Sequence, residues 1–330
     1  RTAMTKYMVT GTMHLLVVSG LHVGLFAAWM FAAKYLGVFP RRAALVGVIV
    51  LVVTYCLVAG GKPPVVRATV LVVLFCLASW SGKRAVALNS LAAAALVVLA
   101  LNPTELFRTG TQLSFLCVAT LIWFGRISMK WQMRSATDPL YRLINEARPW
   151  YERTLRRVLA WYGWLLVATA LVWLTTLPLV ASQFHVASPI AVVISPAVWP
   201  LVAVALAAGF GTILFGEIAE PLAAACGWTA DASLAGLQRL VDWAQGVPGG
   251  HQWLAGPACW WTIVFYGGLF CAFATGTRSL RGRWPVGLLS VWVLVGLAAA
   301  EWRPRGEALE CGFLAVGHGS CAVLRTPAGR

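Results

Sequence analysis

The stretch His14–Phe26, HLLVVSGLHVGLF, is apolar enough to enter a bilayer, yet it holds two histidines, a serine and two glycines within thirteen residues. On a helix with His14 at zero, Ser19 falls at about 140°, His22 at about 80° and Gly20 at about 240°. The three polar side chains therefore share one arc. Polar groups inside a span face the bundle or an aqueous cavity. Ser19-Gly20 also weakens the helix at its middle, which is tolerated at membrane depth where the backbone lines protein or water. The stretch reads as a membrane helix with a functional side. Hydrogen bonding to a neighbouring helix is the plainer use of the same residues.

The rest of the chain agrees with a membrane setting. Of 330 residues, 60% are hydrophobic and 11% charged, with a mean hydropathy of +0.77. A soluble domain carries about 25% charged residues, and about 20 apolar residues span a bilayer. The spacing predicts spans at roughly 13–33, 43–60, 65–81, 85–101, 111–125, 159–181, 190–215, 257–276 and 285–300. The expected fold is an all-α polytopic helical bundle of about 9–11 spans, with broken or re-entrant helices among them. The eight cysteines form no C-x-x-C pair and sit mostly in apolar runs, so neither a zinc site nor a disulfide framework is read from them. No cofactor is implied.

Net charge is +15. In a soluble protein this would suggest nucleic acid; here basic loops account for much of it. They are Lys34–Arg42, Lys83-Arg84, segment 126–158 and Arg278–Arg283. The positive-inside rule places all four in the cytoplasm and both chain ends on the outer face. Segment 126–158 mixes basic and aromatic residues at helical spacing. It is expected to lie as an amphipathic element in the headgroup plane, with phosphate contact the sharper alternative. Leu234–Val247 reads as a second amphipathic helix, on the other face. Gln183 and the start of the 257–276 span must share a face. The chain between them therefore crosses an even number of times, by a re-entrant half-helix near Ser188–Pro196 or by a return through 221–247.

Three further stretches are too polar or too broken for ordinary spans. Tyr55–Ala68 holds Gly60-Gly61 and Pro63-Pro64, then Arg67, which either snorkels to the interface or points into a pore. Leu101–Val118 holds Pro103, Gly110, Gln112 and Ser114, and a membrane amide needs a partner. Thr175–Pro196 sets Pro178, Pro189 and Pro196 around His185, which suggests a discontinuous element. Beyond Ala300 the pattern alternates, and Gly317-His318-Gly319 splits it into strand, turn and strand.

These motifs resemble the ComEC family of bacterial competence channel proteins. The string from His14 to Gly24, H-L-x-x-x-S-G-L-H-V-G, is the most specific. In order follow Ala59, Gly60, Pro63, Arg67 and Ala68; Leu101–Pro103 with Gly110–Phe115; and Leu177–Leu179 with Phe184-His185 and Ser188-Pro189. The tail resembles the first hairpin of that family's metallo-β-lactamase-like domain, with Ala315, His318 and Ser320 where acids and a glutamine are usual. Arg108 and Val192 likewise replace the residues usual in the family.

The resemblance implies a non-enzymatic inner-membrane channel for single-stranded DNA. Membrane lipid and other competence-machinery proteins would be its partners. Residues 1–300 would form the channel domain and 301–330 the truncated start of the hydrolase-like domain. The implied lining is His14, Ser19, Gly20, His22, Arg67, Gln112, Ser114 and His185, with Gly20 opening the path and Arg67 contacting phosphate. Gly24, Gly60, Pro63, Pro103, Gly110, Pro178, Pro189 and Pro196 shape the backbone. The rival readings are a small-molecule or ion transporter, an intramembrane hydrolase using Ser19 and His22, and an anchor for an outward-facing hydrolase-like domain.

Overall fold

The structure, a computed structural model, describes residues 10–12, 20–35, 37, 40–82, 86–137, 148–254, 256–275, 287, 291–296, 310–314 and 321–325. His14, Ser19, the loop Lys83-Arg84, residues 138–147, Arg278–Arg283 and the turn Gly317–Gly319 lie outside them.

Helix α1 runs Gly20–Tyr35, α2 Arg41–Val58, α3 Pro63–Trp80 and α4 Ala87–Leu101. A 3-10 turn at Pro103–Phe107 leads into α5, Thr109–Thr137, and α6 follows at Trp150–Phe184. Strand β1, Val186–Ala187, precedes α7, Ile190–Phe215; α8 is Glu220–Gly246, β2 Gln252–Trp253 and α9 Cys259–Thr275. Strands β3, Glu310–Leu314, and β4, Cys321–Arg325, pair antiparallel with Glu310 opposite Arg325 and Leu314 opposite Cys321. The predicted helical bundle and terminal hairpin are both present.

Five helices are long and apolar enough to cross a membrane: α2, α3, the Thr109–Met129 part of α5, α6 and α7. Stretches His22–Ala32, Ala87–Leu101 and Cys259–Cys271 are apolar but shorter. Large apolar side chains such as Val50, Leu96, Ile213 and Val264 are exposed, as lipid solvation allows. The chain is a multi-pass membrane protein.

The connections follow from local chemistry. Gly60 and Gly61 adopt φ of +71° and +61°, a conformation only glycine takes freely. Their N–H groups return to the carbonyls of Leu57 and Cys56, each at 3.0 Å. Pro63 and Pro64 then open α3, where a missing N–H costs nothing. Asn102 caps the 3-10 turn, its Oδ1 accepting from Thr104 N at 3.1 Å and Thr104 Oγ1 at 2.8 Å. Antiparallel α2 and α3 are tied at their far ends by Arg41 Nη2 donating to Ser79 O at 3.1 Å.

Three apolar clusters hold the helices together. Val23, Leu45, Val48, Val52 and Val65 join α1, α2 and α3. Leu177 and Ala187 pack with Trp261, Phe265 and Leu269 of α9. Ile190, Ile194 and Val198 of α7 pack with Leu237 and Ala244 of α8.

Two expectations are corrected. Pro178 and Pro196 do not break helices: both are buried inside continuous α6 and α7. Pro196 leaves the Val192 carbonyl without its usual helical donor, and Thr169 Oγ1 of α6 donates to that oxygen at 3.4 Å. The break falls instead between Phe184 and Ile190, where His185 adopts φ +55° and Pro189 caps α7. Leu234–Val247 is not a separate surface helix. It belongs to α8, which runs back along α7 with Gly236 against Leu201, Gly227 against Thr212 and Gly250 against Ile190. β1 and β2 then pair, Val186 opposite Trp253. The α7–α8 hairpin therefore carries the chain away and returns it to the level it left, although α8 is not among the helices apolar enough to cross a membrane.

The described parts of segment 126–158 form no separate helix of their own. They prolong α5 and α6, and α6 with its 35 residues is about 52 Å long.

Candidate functional site

The contacts sort the predicted residues by height in the bundle. Arg67, one turn into α3, meets Glu105 of the 3-10 turn, with Nη1 3.2 Å from Oε2. The same Nη1 donates to Thr111 Oγ1 at 3.0 Å, and Nη2 donates to the Gly110 carbonyl at 3.3 Å. Thr111 Oγ1 also donates to Glu105 Oε2. Arg67, Glu105 and Thr111 are 8%, 5% and 4% exposed. The second carboxylate oxygen, Oε1, accepts from Arg108 Nη1 at 2.8 Å. One carboxylate thus stands between a buried and an exposed guanidinium. The Nε–H of Arg67 has no acceptor in this arrangement.

Glu105 lies between α4 and α5, outside the spans. The hydrogen bond from Thr111, then the charges of Arg108 and Arg67, hold its carboxyl below the usual carboxylate range, against the opposing effect of burial.

The other predicted residues gather at this end but keep separate contacts. Gly20 marks a close approach of α1 to α3: a Cβ there would stand 2.9 Å from Ala68 Cβ and 3.6 Å from the Pro64 carbonyl. Its smallness serves helix packing. The half-buried His22 ring stacks on Tyr55 of α2 with centroids 6.3 Å apart. Gln112 is exposed, and its Nε2 donates to the Leu106 carbonyl at 2.9 Å. Ser114 is half-buried on the next turn of α5. His185 is exposed at the α6 terminus, where its carbonyl accepts from Leu254 N at 3.0 Å. Thr109 Oγ1 donates to Gln183 Oε1 at 3.4 Å, which joins the start of α5 to the end of α6. The fully buried Thr10 and Thr12 join this end too, since a Cβ on Gly11 would meet Ala191 and Ser188.

Of the backbone-shaping residues, Gly60, Pro63, Pro103, Gly110 and Pro189 stand at turns or helix starts of this end. Gly24 is exposed on α1 with nothing within 4 Å of an added Cβ. Arg67, expected to snorkel or to reach phosphate, is instead engaged with Glu105. Sequence reasoning missed Glu105, although one signal was available: it is the first carboxylate of the chain, with none among residues 1–104 and the next at Asp138. A lone acid among so many cations has to answer one of them.

The opposite end carries Arg41, Arg42, Arg126, Arg148, Arg153, Arg156 and Arg157 among the described residues. There Glu152 Oε1 meets Arg156 Nε at 3.0 Å one turn further along α6, and Arg148 Nε, just ahead of the helix, at 3.6 Å.

A protein-family profile described as Competence protein matches residues 1–279. A relative from Bacillus subtilis (strain 168), ComE operon protein 3, is 32% identical over 120 residues, which are 36% of this chain and 15% of the relative. No solved structure matches.

Proposed function

The chain belongs to the Competence protein family, and from that premise we propose that its bundle passes single-stranded DNA across the cytoplasmic membrane during natural transformation. The observation that carries this reading is the convergence of polar residues on one end. Arg67 and Glu105 meet through Thr111, Gln183 meets Thr109, and Gln112 and His185 stand at the same end with contacts of their own, while Gly20 lets α1 pack on Ala68 there.

The basic end faces the cytoplasm by the positive-inside rule. The Glu105 end then faces outward and receives the strand. Buried polar groups cost several kcal/mol in hydrocarbon, so a cluster at a helix end, beside water, is where a polar polymer enters at least cost. Residues 1–300 form this channel domain and perform translocation without covalent chemistry. Residues 301–330, with the β3–β4 hairpin, open a hydrolase-like domain on the outer side. Arg67 holds the mouth together instead of touching phosphate.

The test is import of fluorescent DNA in cells that carry the full-length gene, a deletion, or the combined variant His22→Ala, Gln112→Ala and His185→Ala. Loss of cytoplasmic DNA in the deletion and in the variant, at normal membrane content, is the expected result. Import at the parental level in the deletion strain would end this reading.

A further inference from the structure

We propose that the exposed rim of the Glu105 end is a docking surface for single-stranded nucleic acid, with Arg108 as its phosphate contact and Phe107 and Trp253 as its stacking platforms. The inference rests on the uptake reading and names where the strand is first held.

The charge count comes first. Glu105 is matched from behind by Arg67, so two guanidinium groups face one carboxylate. Arg67 is enclosed, and the surplus positive charge stands on Arg108, whose side chain is 56% exposed. Glu105 also orients that guanidinium through the 2.8 Å contact, as a phosphate ligand requires.

The rings come second. Phe107, next to Arg108, is 81% exposed, and Trp253 is 59% exposed. Trp253 reaches the rim through β2: its partner strand β1 is buried on both residues, while Gln252 and Trp253 are both exposed. Two hydrogen bonds bring the parts of the rim together: Thr109, next to Arg108 in the chain, donates to Gln183, and Leu254 N, next to Trp253, donates to the carbonyl of His185, two residues beyond Gln183.

A single strand offers what this surface lacks: unstacked base faces for the rings, and phosphate for the cation. A duplex hides its base faces, so the surface discriminates between the two. Exposed aromatic and basic groups at helix ends also suit lipid headgroups, and that is the competing occupant.

The experiment uses the full-length protein in nanodiscs of phosphatidylcholine and the anisotropy of fluorescein-labelled oligothymidylate, single-stranded or annealed. Single strand is expected to bind more tightly than duplex. Trp253→Ala and Phe107→Ala each weaken it at least about 5-fold, and Trp253→Phe keeps most of the affinity. Arg108→Gln lowers the slope of log affinity against log salt by about 0.7. Trp228→Ala, toward the opposite end of α8, leaves binding unchanged. Thermal melting confirms that each variant is folded.

The inference is overturned if the wild type does not prefer single strand, or if the rim variants bind it as the wild type does. It is also overturned if the wild type binds the single strand in detergent but not in the nanodisc, which would make the rim a headgroup anchor that lipid already covers. The uptake reading is judged separately by the deletion strain. Import that is lost on deletion but intact in the rim variants defeats the docking surface alone.

Discussion

At one end of the bundle Glu105 is 5% exposed and answers Arg67, 38 residues away in sequence. At the other end the side chain of Glu152 is 37% exposed and answers Arg148 and Arg156, each four residues away. The second arrangement is local, an i,i+4 pair within α6 and a contact from the residue just ahead of its cap, and is worth little in water. The first exists only when α3, the 3-10 turn and α5 have come together, and it loses its meaning if any of them is displaced. Charge at the basic end is a property of the sequence; charge at the Glu105 end is a property of the fold. The contrast also locates function, because the enclosed pair makes its surroundings rigid and leaves Arg108 presented on a fixed base.

The largest test of this contrast is Glu105→Leu. It strands Arg67 in an enclosed site, and removing one partner of a buried pair costs about 3–5 kcal/mol. Thermal melting in detergent should show a large fall, and Arg67→Leu combined with Glu105→Leu should restore much of it. A fall in the double variant as large as in the single one would show that the pair is not coupled.

Gly20→Leu comes next. Its first carbon would stand 2.9 Å from Ala68 Cβ, and overpacking of this kind costs about 1–3 kcal/mol. The family resemblance implied a Gly20 that opens the path, which a leucine would block. The structure predicts lower stability, partly rescued by Ala68→Gly. Unchanged melting with lost DNA import would favour the path after all.

His185→Val should cost about 1–2 kcal/mol, because φ +55° is a conformation that β-branched residues resist. His185→Gly should melt at or above the wild-type temperature.

The pair also imposes a pH dependence. Glu105 is held below the ordinary carboxylate range, so as pH falls the unfolded chain takes up its proton first. The stabilisation is therefore complete above the ordinary carboxylate pKa and drains away below it, down through the folded value. Melting followed through the acid range should show this loss in the wild type and its absence in the Arg67→Leu, Glu105→Leu variant.

Glu152→Gln gives the smallest effect, below about 0.5 kcal/mol and smaller still in high salt. A larger loss would mean that the basic end is also built by its ion pairs, and the contrast between the ends would fail.

The sequence by itself determined what depends on neighbouring residues. Apolar runs give helices of membrane length, Gly60-Gly61 and Pro63-Pro64 make a turn, the Arg and Lys clusters mark one face, and motif order over Ala59–Ala68 and Gly110–Phe115 carries the family resemblance that the match over residues 1–279 bears out. Only the tertiary structure decided which carboxylate meets Arg67, that Gly20 packs on Ala68, and that the chain breaks at His185 and not at Pro178 or Pro196. It also decided that α8 returns along α7, so that β2 can pair with β1. Hydropathy and helix periodicity are sums over nearby positions, whereas a buried ion pair, a helix contact and a proline's compensating donor each depend on atoms that chain folding alone brings within about 3–4 Å.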